Sequence, residues 1–126
     1  MQSRDFKDLI VWQKAMILAE QTYRIVKKLP KEERFALSGQ MRRAAVSVPS
    51  NIAEGQARSS TKEFMNHLSI AKGSNAELYT QFLLCVRISY LSKEDVKDTL
   101  ALSEEVGKML NAMLQKLASR SQLPTH

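Results

Sequence analysis

The sequence predicts an all-α protein, an antiparallel up-down-up-down four-helix bundle, from three observations. Apolar residues recur every three or four positions in four long segments, as on the buried face of a helix. Glycine and proline are scarce, with 4 and 3 in 126 residues, so few turns interrupt the chain. The breaks between the segments are short, and short connections place successive helices antiparallel. We expect a single four-helix-bundle domain over residues 1–126.

The start and stop signals give approximate helix boundaries. The helices are predicted at about residues 8–28, 32–57, 61–89 and 93–118, with frayed ends at residues 1–4 and 119–126. Pro30 ends the first helix because proline cannot continue it. Ser60 or Thr61 caps the third helix and Ser92 caps the fourth, since a hydroxyl accepts a hydrogen bond from a free amide of the first turn.

Proline is unusual inside the second predicted helix, and Pro49 lies there. It removes one backbone donor and clashes one turn back, at a cost of about 3 kcal/mol. Nearby serine and asparagine side chains could satisfy the carbonyls that it frees. A continuous helix and a helix split at Pro49 are both compatible with the sequence.

Short polar residues follow the core face of the second helix and one part of the third. We expect a buried polar network made of Arg43, Ser47, Asn51, Glu54, Ser74 and Glu77. Glu77 has apolar neighbours on its side of the helix, and a buried carboxylate needs a partner, which we expect to be Arg43 or Asn51. The favoured interpretation is that the network fixes the register of the bundle. A ligand site is the alternative.

The residues for catalysis and metal binding are few. His67 and His126 are the only histidines, and neither makes a zinc-ligand spacing with Cys85. Glu63 and His67 lack the second pair that a di-metal bundle uses. We therefore expect no catalytic residue, no metal and no cofactor. His67 is interpreted as a surface or interface histidine, and Cys85 as a small buried hydrophobe.

The chain is basic, with a net charge of +6 and a pI near 9.6, which suits an anionic partner. Residues 1–58 hold 11 Lys and Arg against 6 Asp and Glu, so the first half supplies most of the surplus. Arg43 and Arg58 are expected to pair with Glu77 and Glu54. The remaining candidates for phosphate contact are Lys14, Arg24, Lys27, Lys28, Lys31, Arg34 and Arg42.

Partners and location follow from the distribution of apolar residues. The first and fourth helices each carry a second apolar stripe, and an exposed apolar strip usually marks a partner surface. Self-association is the favoured interpretation, and one broad core is the alternative. No apolar run reaches the length of a membrane span, and we expect no membrane contact. One cysteine and no secretion signal predict a reducing cytoplasm.

Three motifs, DFKDLIVWQKA, SVPSNIAEG and AKGSNAEL, resemble the four-helix-bundle family of 23S rRNA-intervening sequence proteins. The resemblance covers about residues 5–117, and SVPSNIAEG is its most specific part. Asn75 departs from the family, which more often has an apolar residue there. The resemblance implies an antiparallel bundle that assembles as a cyclic homopentamer without enzymatic activity. A related branch, the accessory proteins of diversity-generating retroelements, implies basic barrels that bind nucleic acid and a reverse transcriptase.

Two functional hypotheses follow. The leading one is a basic homo-oligomer that binds RNA or DNA through the phosphate backbone. The alternative is a structural or protein-interaction module that binds no nucleic acid, with its charge serving solubility. Sequence-specific recognition is not expected, because no short recognition helix follows a tight turn and no aromatic strip is evident.

Overall fold

The computed structural model describes residues 5–121, and this part of the chain folds into four long helices. They are α1 (Ile10–Val26), α2 (Leu37–Gln56), α3 (Thr61–Arg87) and α4 (Lys93–Ser121). Single 3₁₀ turns at Phe6–Asp8 and Lys31–Glu33 precede α1 and α2. No β-strand occurs between residues 5 and 121, so the all-helical prediction is confirmed there. Residues 1–4 and 122–126, predicted to fray, lie outside the described residues.

The helices pack around one apolar core. α1 contacts α2 and α4, and α3 contacts the same two helices. Leu18, Met41, Ile52, Leu78 and Phe82 are among the largest fully buried side chains. None of the helices in the described part is long and apolar enough to cross a membrane.

The contacts between α2 and α3 run in opposite numerical order. The Met41 sulfur lies 3.8 Å from the Cys85 sulfur, and Ser47 Oγ lies 2.8 Å from Ser74 Oγ. One turn further along α2, Asn51 Oδ1 lies 3.0 Å from Nδ1 of His67, which comes earlier in α3. Cys85 is buried, as predicted, and burial raises the pKa of its thiol to about 11.

The two predicted serine caps are present. Ser60 Oγ accepts a hydrogen bond from the Glu63 amide at 3.1 Å and donates to the Glu63 carboxylate at 3.0 Å. Ser92 Oγ accepts from the Asp95 amide at 3.1 Å, and Asp95 Oδ2 accepts from the Ser92 amide at 2.9 Å. Each pair satisfies free donors at a helix start, which fixes where α3 and α4 begin.

The start of α2 differs most from the prediction, at Leu37 rather than near residue 32. Ala36 has φ −114° and ψ −105°, outside the helical region, so the 3₁₀ turn cannot continue into α2. Glu33 then takes the place of a backbone acceptor, because its Oε1 accepts from the Leu37 amide at 3.3 Å. Its Oε2 accepts from the Tyr90 hydroxyl at 2.8 Å, which joins this turn to the α3–α4 connection.

The other boundaries differ by a few residues. α1 is shorter than predicted at both ends. Leu9 is extended, so the helix begins after it. At the other end, the Lys28 and Leu29 amides donate to the carbonyl oxygens of Ile25 and Val26 in a tight turn. α3 ends at Arg87, and Ser89 then adopts a left-handed conformation with φ 66°. α4 continues through residues 119–121, where the prediction placed a frayed end.

Pro49 lies within a continuous α2, which settles the question that the sequence left open. Pro49 itself is buried. Asn51 Nδ2 donates to the Ser47 carbonyl at 2.9 Å, one turn back. A polar side chain therefore supplies an additional donor to the backbone in the turn that contains the proline.

Candidate nucleic-acid interface and polar networks

Unpaired cations gather at the turn between α1 and α2. Lys27, Lys31 and Arg34 are exposed, and none forms an ion pair with another described residue. Together with Arg42 they line a groove of about 300 Å³. Arg24, one turn before the end of α1, is also exposed and unpaired among the described residues. We call Lys27, Lys31, Arg34 and the adjoining turn the basic end.

Two of the seven predicted cations are neutralised by carboxylates of α4. Lys28 Nζ lies 2.8 Å from Asp95 Oδ1, and Lys14 Nζ lies 3.0 Å from Glu105 Oε2. The hydrogen bond from Lys28 is the main cause that lowers the pKa of Asp95 to about 2, with help from Ser92. The prediction that Lys14 and Lys28 are free for phosphate was wrong, because it considered only partners within the first half of the chain.

An exposed phenylalanine lies beside these cations. Phe35 is 86% exposed, and the Arg34 guanidinium lies 5.3 Å from its ring centroid. Arg42 Nη2 donates to the Arg34 carbonyl at 3.0 Å, which holds this turn against α2. The sequence interpretation missed Phe35. Its signal in the sequence was an aromatic residue directly after a run of charged residues and outside any apolar stripe.

A chain of hydrogen bonds connects α2 with α3. Ser74 Oγ and Ser47 Oγ form a hydrogen bond of 2.8 Å in which either hydroxyl can donate. Asn51 Nδ2 donates to Ser47 Oγ at 3.0 Å. Asn51 Oδ1 lies 3.0 Å from His67 Nδ1, so the imidazole donates there, because an amide oxygen only accepts. His67 Nε2 lies 3.9 Å from the Glu54 carboxylate. The network joins the predicted Ser47, Asn51, Glu54 and Ser74 to a histidine that the prediction had left outside it.

The predicted pairing of Glu77 with α2 is absent from the described chain. Glu77 is exposed, and its Oε2 accepts from Gln81 Nε2 at 3.2 Å on the same helix. Arg43 is also exposed, and no described residue pairs with it. The burial prediction failed because Ile70, Leu84 and Ile88, the apolar neighbours of Glu77, are themselves exposed. Glu54 instead pairs with Arg58 at 2.7 Å, as expected.

Gly55 lies beside this network and allows α3 to approach α2 closely. A Cβ at this position would lie 2.8 Å from the Cβ of His67 and 3.3 Å from the backbone oxygen of Phe64. Ordinary side chains cannot occupy that space, so only glycine permits this spacing. Gly73 differs, because a Cβ there would meet no atom within 4 Å. No other part of the described chain therefore packs closely against Gly73.

A second polar pair is buried between α3 and α4. Asn75 Nδ2 donates to the Ser103 carbonyl at 2.9 Å, and Ser103 Oγ donates to Asn75 Oδ1 at 2.8 Å. A Cβ at Gly107 would lie 3.2 Å from Asn75 Nδ2, so glycine leaves room for the amide. Asn75, the residue that departs from the related family, thus has matching partners on α4.

Among residues 5–121, no three His, Cys, Asp or Glu side chains come close enough together to hold a metal ion. One buried side-chain oxygen, Gln81 Oε1, has no partner in the same part of the chain.

Comparisons with known proteins identify the family. The chain is similar to a crystal structure, at 1.70 Å, of a protein of unknown function from the S23 ribosomal protein family of Bacteroides thetaiotaomicron. The TM-score is 0.78 at 27% identity, over 83% of this chain and 98% of that one. No curated protein matches the chain. The family model described as "23S rRNA-intervening sequence protein" matches residues 7–112, which is most of the sequence. The chain therefore belongs to the family of 23S rRNA-intervening sequence proteins.

Proposed function

We propose that this protein is a non-enzymatic, basic homo-oligomer that binds RNA or DNA through phosphate contacts at its basic end. The observation that carries the proposal is the set of exposed cations without carboxylate partners around the turn between α1 and α2. Such cations interact with phosphates at little cost, because no internal ion pair must first be broken. Among residues 5–121 the one histidine, His67, is hydrogen-bonded to Asn51 and lies near Glu54.

Self-association strengthens this interaction. The opposite numerical order of contacts between α2 and α3 supports an antiparallel bundle. In a cyclic assembly of such bundles, symmetry makes every copy present its basic end in the same direction. In a cyclic pentamer, the assembly that the family resemblance implies, a net charge of +6 becomes about +30. A ring of basic ends raises the local concentration of a polyanion and can contact several of its phosphates at once. The proposal requires no base-specific contact.

Phe35 adds a contact that distinguishes single strands from duplexes. An exposed ring beside Arg34 can stack on an unpaired base, which is worth about 1–3 kcal/mol in other single-strand binders. We therefore expect Phe35→Ala to weaken binding of single-stranded oligomers by roughly tenfold. Binding of a duplex of the same length, whose bases are already stacked, should change little.

A charge-reversal experiment tests the proposal. The variant Lys27→Glu/Lys31→Glu/Arg34→Glu should bind unrelated RNA and DNA oligomers more weakly than the parent, and about equally so for both. Its log-log salt slope should fall in magnitude, because each lost phosphate contact removes about 0.7–0.9. The control reverses three exposed cations near the far end of the bundle, Lys62, Lys116 and Arg120, with the same change in net charge.

The two triple variants separate a local site from bulk charge. Equal losses in both would mean that only net charge matters, and an unchanged first variant would exclude the basic end. If the parent binds neither nucleic acid at 50 mM salt, the interaction-module hypothesis takes its place. That second candidate is supported by exposed aliphatic residues on α3 and at its C-cap, namely Ile70, Leu83, Leu84 and Ile88.

A further inference from the structure

One side of α3 carries aliphatic residues that the bundle leaves uncovered. Ile70, Glu77, Leu84 and Ile88 follow one another at spacings of seven, seven and four residues, which places them along one side of a helix. The three aliphatic side chains are exposed. Gly73 lies within the same stretch with open space in front of it. We call Ile70, Gly73, Glu77, Leu84 and Ile88 the α3 ridge.

A concave apolar surface lies on another side of the molecule. The groove between α1 and α2 has a volume of about 650 Å³, and its lining includes Trp12, Met16, Tyr23, Val46 and Pro49. Met16, Tyr23 and Val46 are exposed although they are apolar or aromatic. We call this surface the α1–α2 groove.

We propose that the α3 ridge of one copy docks into the α1–α2 groove of a second copy of this chain. The inference rests on the self-association proposed above and assigns its two surfaces. The aliphatic side chains of the ridge match the apolar lining of the groove on the same molecule. Gly73 costs about 1 kcal/mol relative to alanine in an exposed helix interior and is not required by the fold of the single chain. It allows a neighbouring helix to approach closely.

The charges of the two surfaces are complementary. Glu77 is the only ionisable group of the ridge, and no described cation pairs with it. The α1–α2 groove is bordered by Arg24, and its continuation toward the basic end is lined by Arg42 and Arg43, against Glu20 alone. A second copy therefore supplies the opposite charge to Glu77 that the single chain lacks.

The positions of the two surfaces favour a closed assembly. The groove lies between α1 and α2, and the ridge lies on the α2 side of α3, where Ser74 bonds to Ser47. The surfaces are thus adjacent sides of the bundle rather than opposite ones. A contact between two different surfaces repeats from copy to copy. Because the two surfaces lie on adjacent sides, each copy is rotated relative to the previous one, which favours a ring over a straight filament.

Three single substitutions test the assignment by light scattering. Leu84→Glu places a charge on the ridge, and Val46→Glu places one in the groove. Leu83→Glu is the matched control, because Leu83 is 42% exposed, close to the 44% of Leu84, but faces the α3–α4 side. We expect the first two variants to fall to the monomer mass of 14.3 kDa and the control to keep the parent mass. Far-UV circular dichroism checks that each variant retains its helices.

Mixing the two monomeric variants tests the pairing itself. The Val46→Glu chain keeps an intact ridge and the Leu84→Glu chain an intact groove, so an equimolar mixture should form a dimer of twice 14.3 kDa and nothing larger. A mixture that stays monomeric, or a Leu84→Glu variant that keeps the parent mass, would overturn this assignment while leaving self-association in place. A parent that is itself 14.3 kDa would instead refute the proposed self-association.

Discussion

The Asn75–Ser103 pair predicts a stability loss whose size follows from its burial. Asn75 is 6% exposed and Ser103 is 1% exposed, so water cannot replace a lost partner freely. Ser103→Ala keeps the backbone carbonyl that accepts from Asn75 Nδ2 and removes only the hydroxyl that donates to Oδ1. One buried amide oxygen is then unsatisfied, which costs about 1–3 kcal/mol. We expect a loss of about 2 kcal/mol in the free energy of unfolding.

Urea titration at one protein concentration measures this loss, because the stability of an oligomer depends on concentration. Ser69→Ala, at an exposed serine of α3, is the control and should stay within about 0.5 kcal/mol of the parent. Asn75→Leu combined with Ser103→Ala removes both polar partners and should be more stable than Ser103→Ala alone. An unchanged Ser103→Ala midpoint, or a double variant less stable than the single one, would refute the view that these two groups satisfy each other.

Three further outcomes are expected from the same structure. Gly55→Ala should lower the unfolding free energy by about 1–2 kcal/mol, because overpacking against His67 exceeds the gain in helix propensity; an equal or higher stability in urea would contradict the close approach. The pKa of Asp95 is lowered to about 2, so its contribution is complete above about pH 4 and disappears as the pH falls toward 2. The stability difference between the parent and Asp95→Asn should therefore shrink over that interval, and a constant difference would exclude the ionised pair with Lys28. Burial and a pKa raised to about 11 predict that Cys85 reacts with a disulfide reagent at pH 8 only after unfolding, so rapid native labelling would contradict its placement.

Local rules predicted most of the fold. Apolar periodicity located the four helices, and hydroxyl caps fixed the starts of α3 and α4, because Ser60 and Ser92 need only residues three positions away. The start of α2 could not be predicted in this way. It depends on Glu33, whose carboxylate is held by Tyr90 from a distant part of the chain.

The candidate site was less predictable because partners in space decide it. Lys27 and Lys28 are neighbours with identical chemistry, yet only Lys28 meets a carboxylate of α4. Glu77 has the apolar neighbours of a buried residue, but burial depends on which helix covers that side, and none of the four described helices does. Helical spacing gave the correct side of each helix, whereas the contact across helices required the structure.

A lysine-modification footprint tests the central claim most directly. The protein is acetylated with and without a single-stranded RNA oligomer, and protection of each lysine is measured by mass spectrometry. Binding through the basic end predicts protection of Lys27 and Lys31, with Lys62 and Lys116 modified equally in both samples. Equal modification of all four lysines, or protection confined to Lys62 and Lys116, would contradict it.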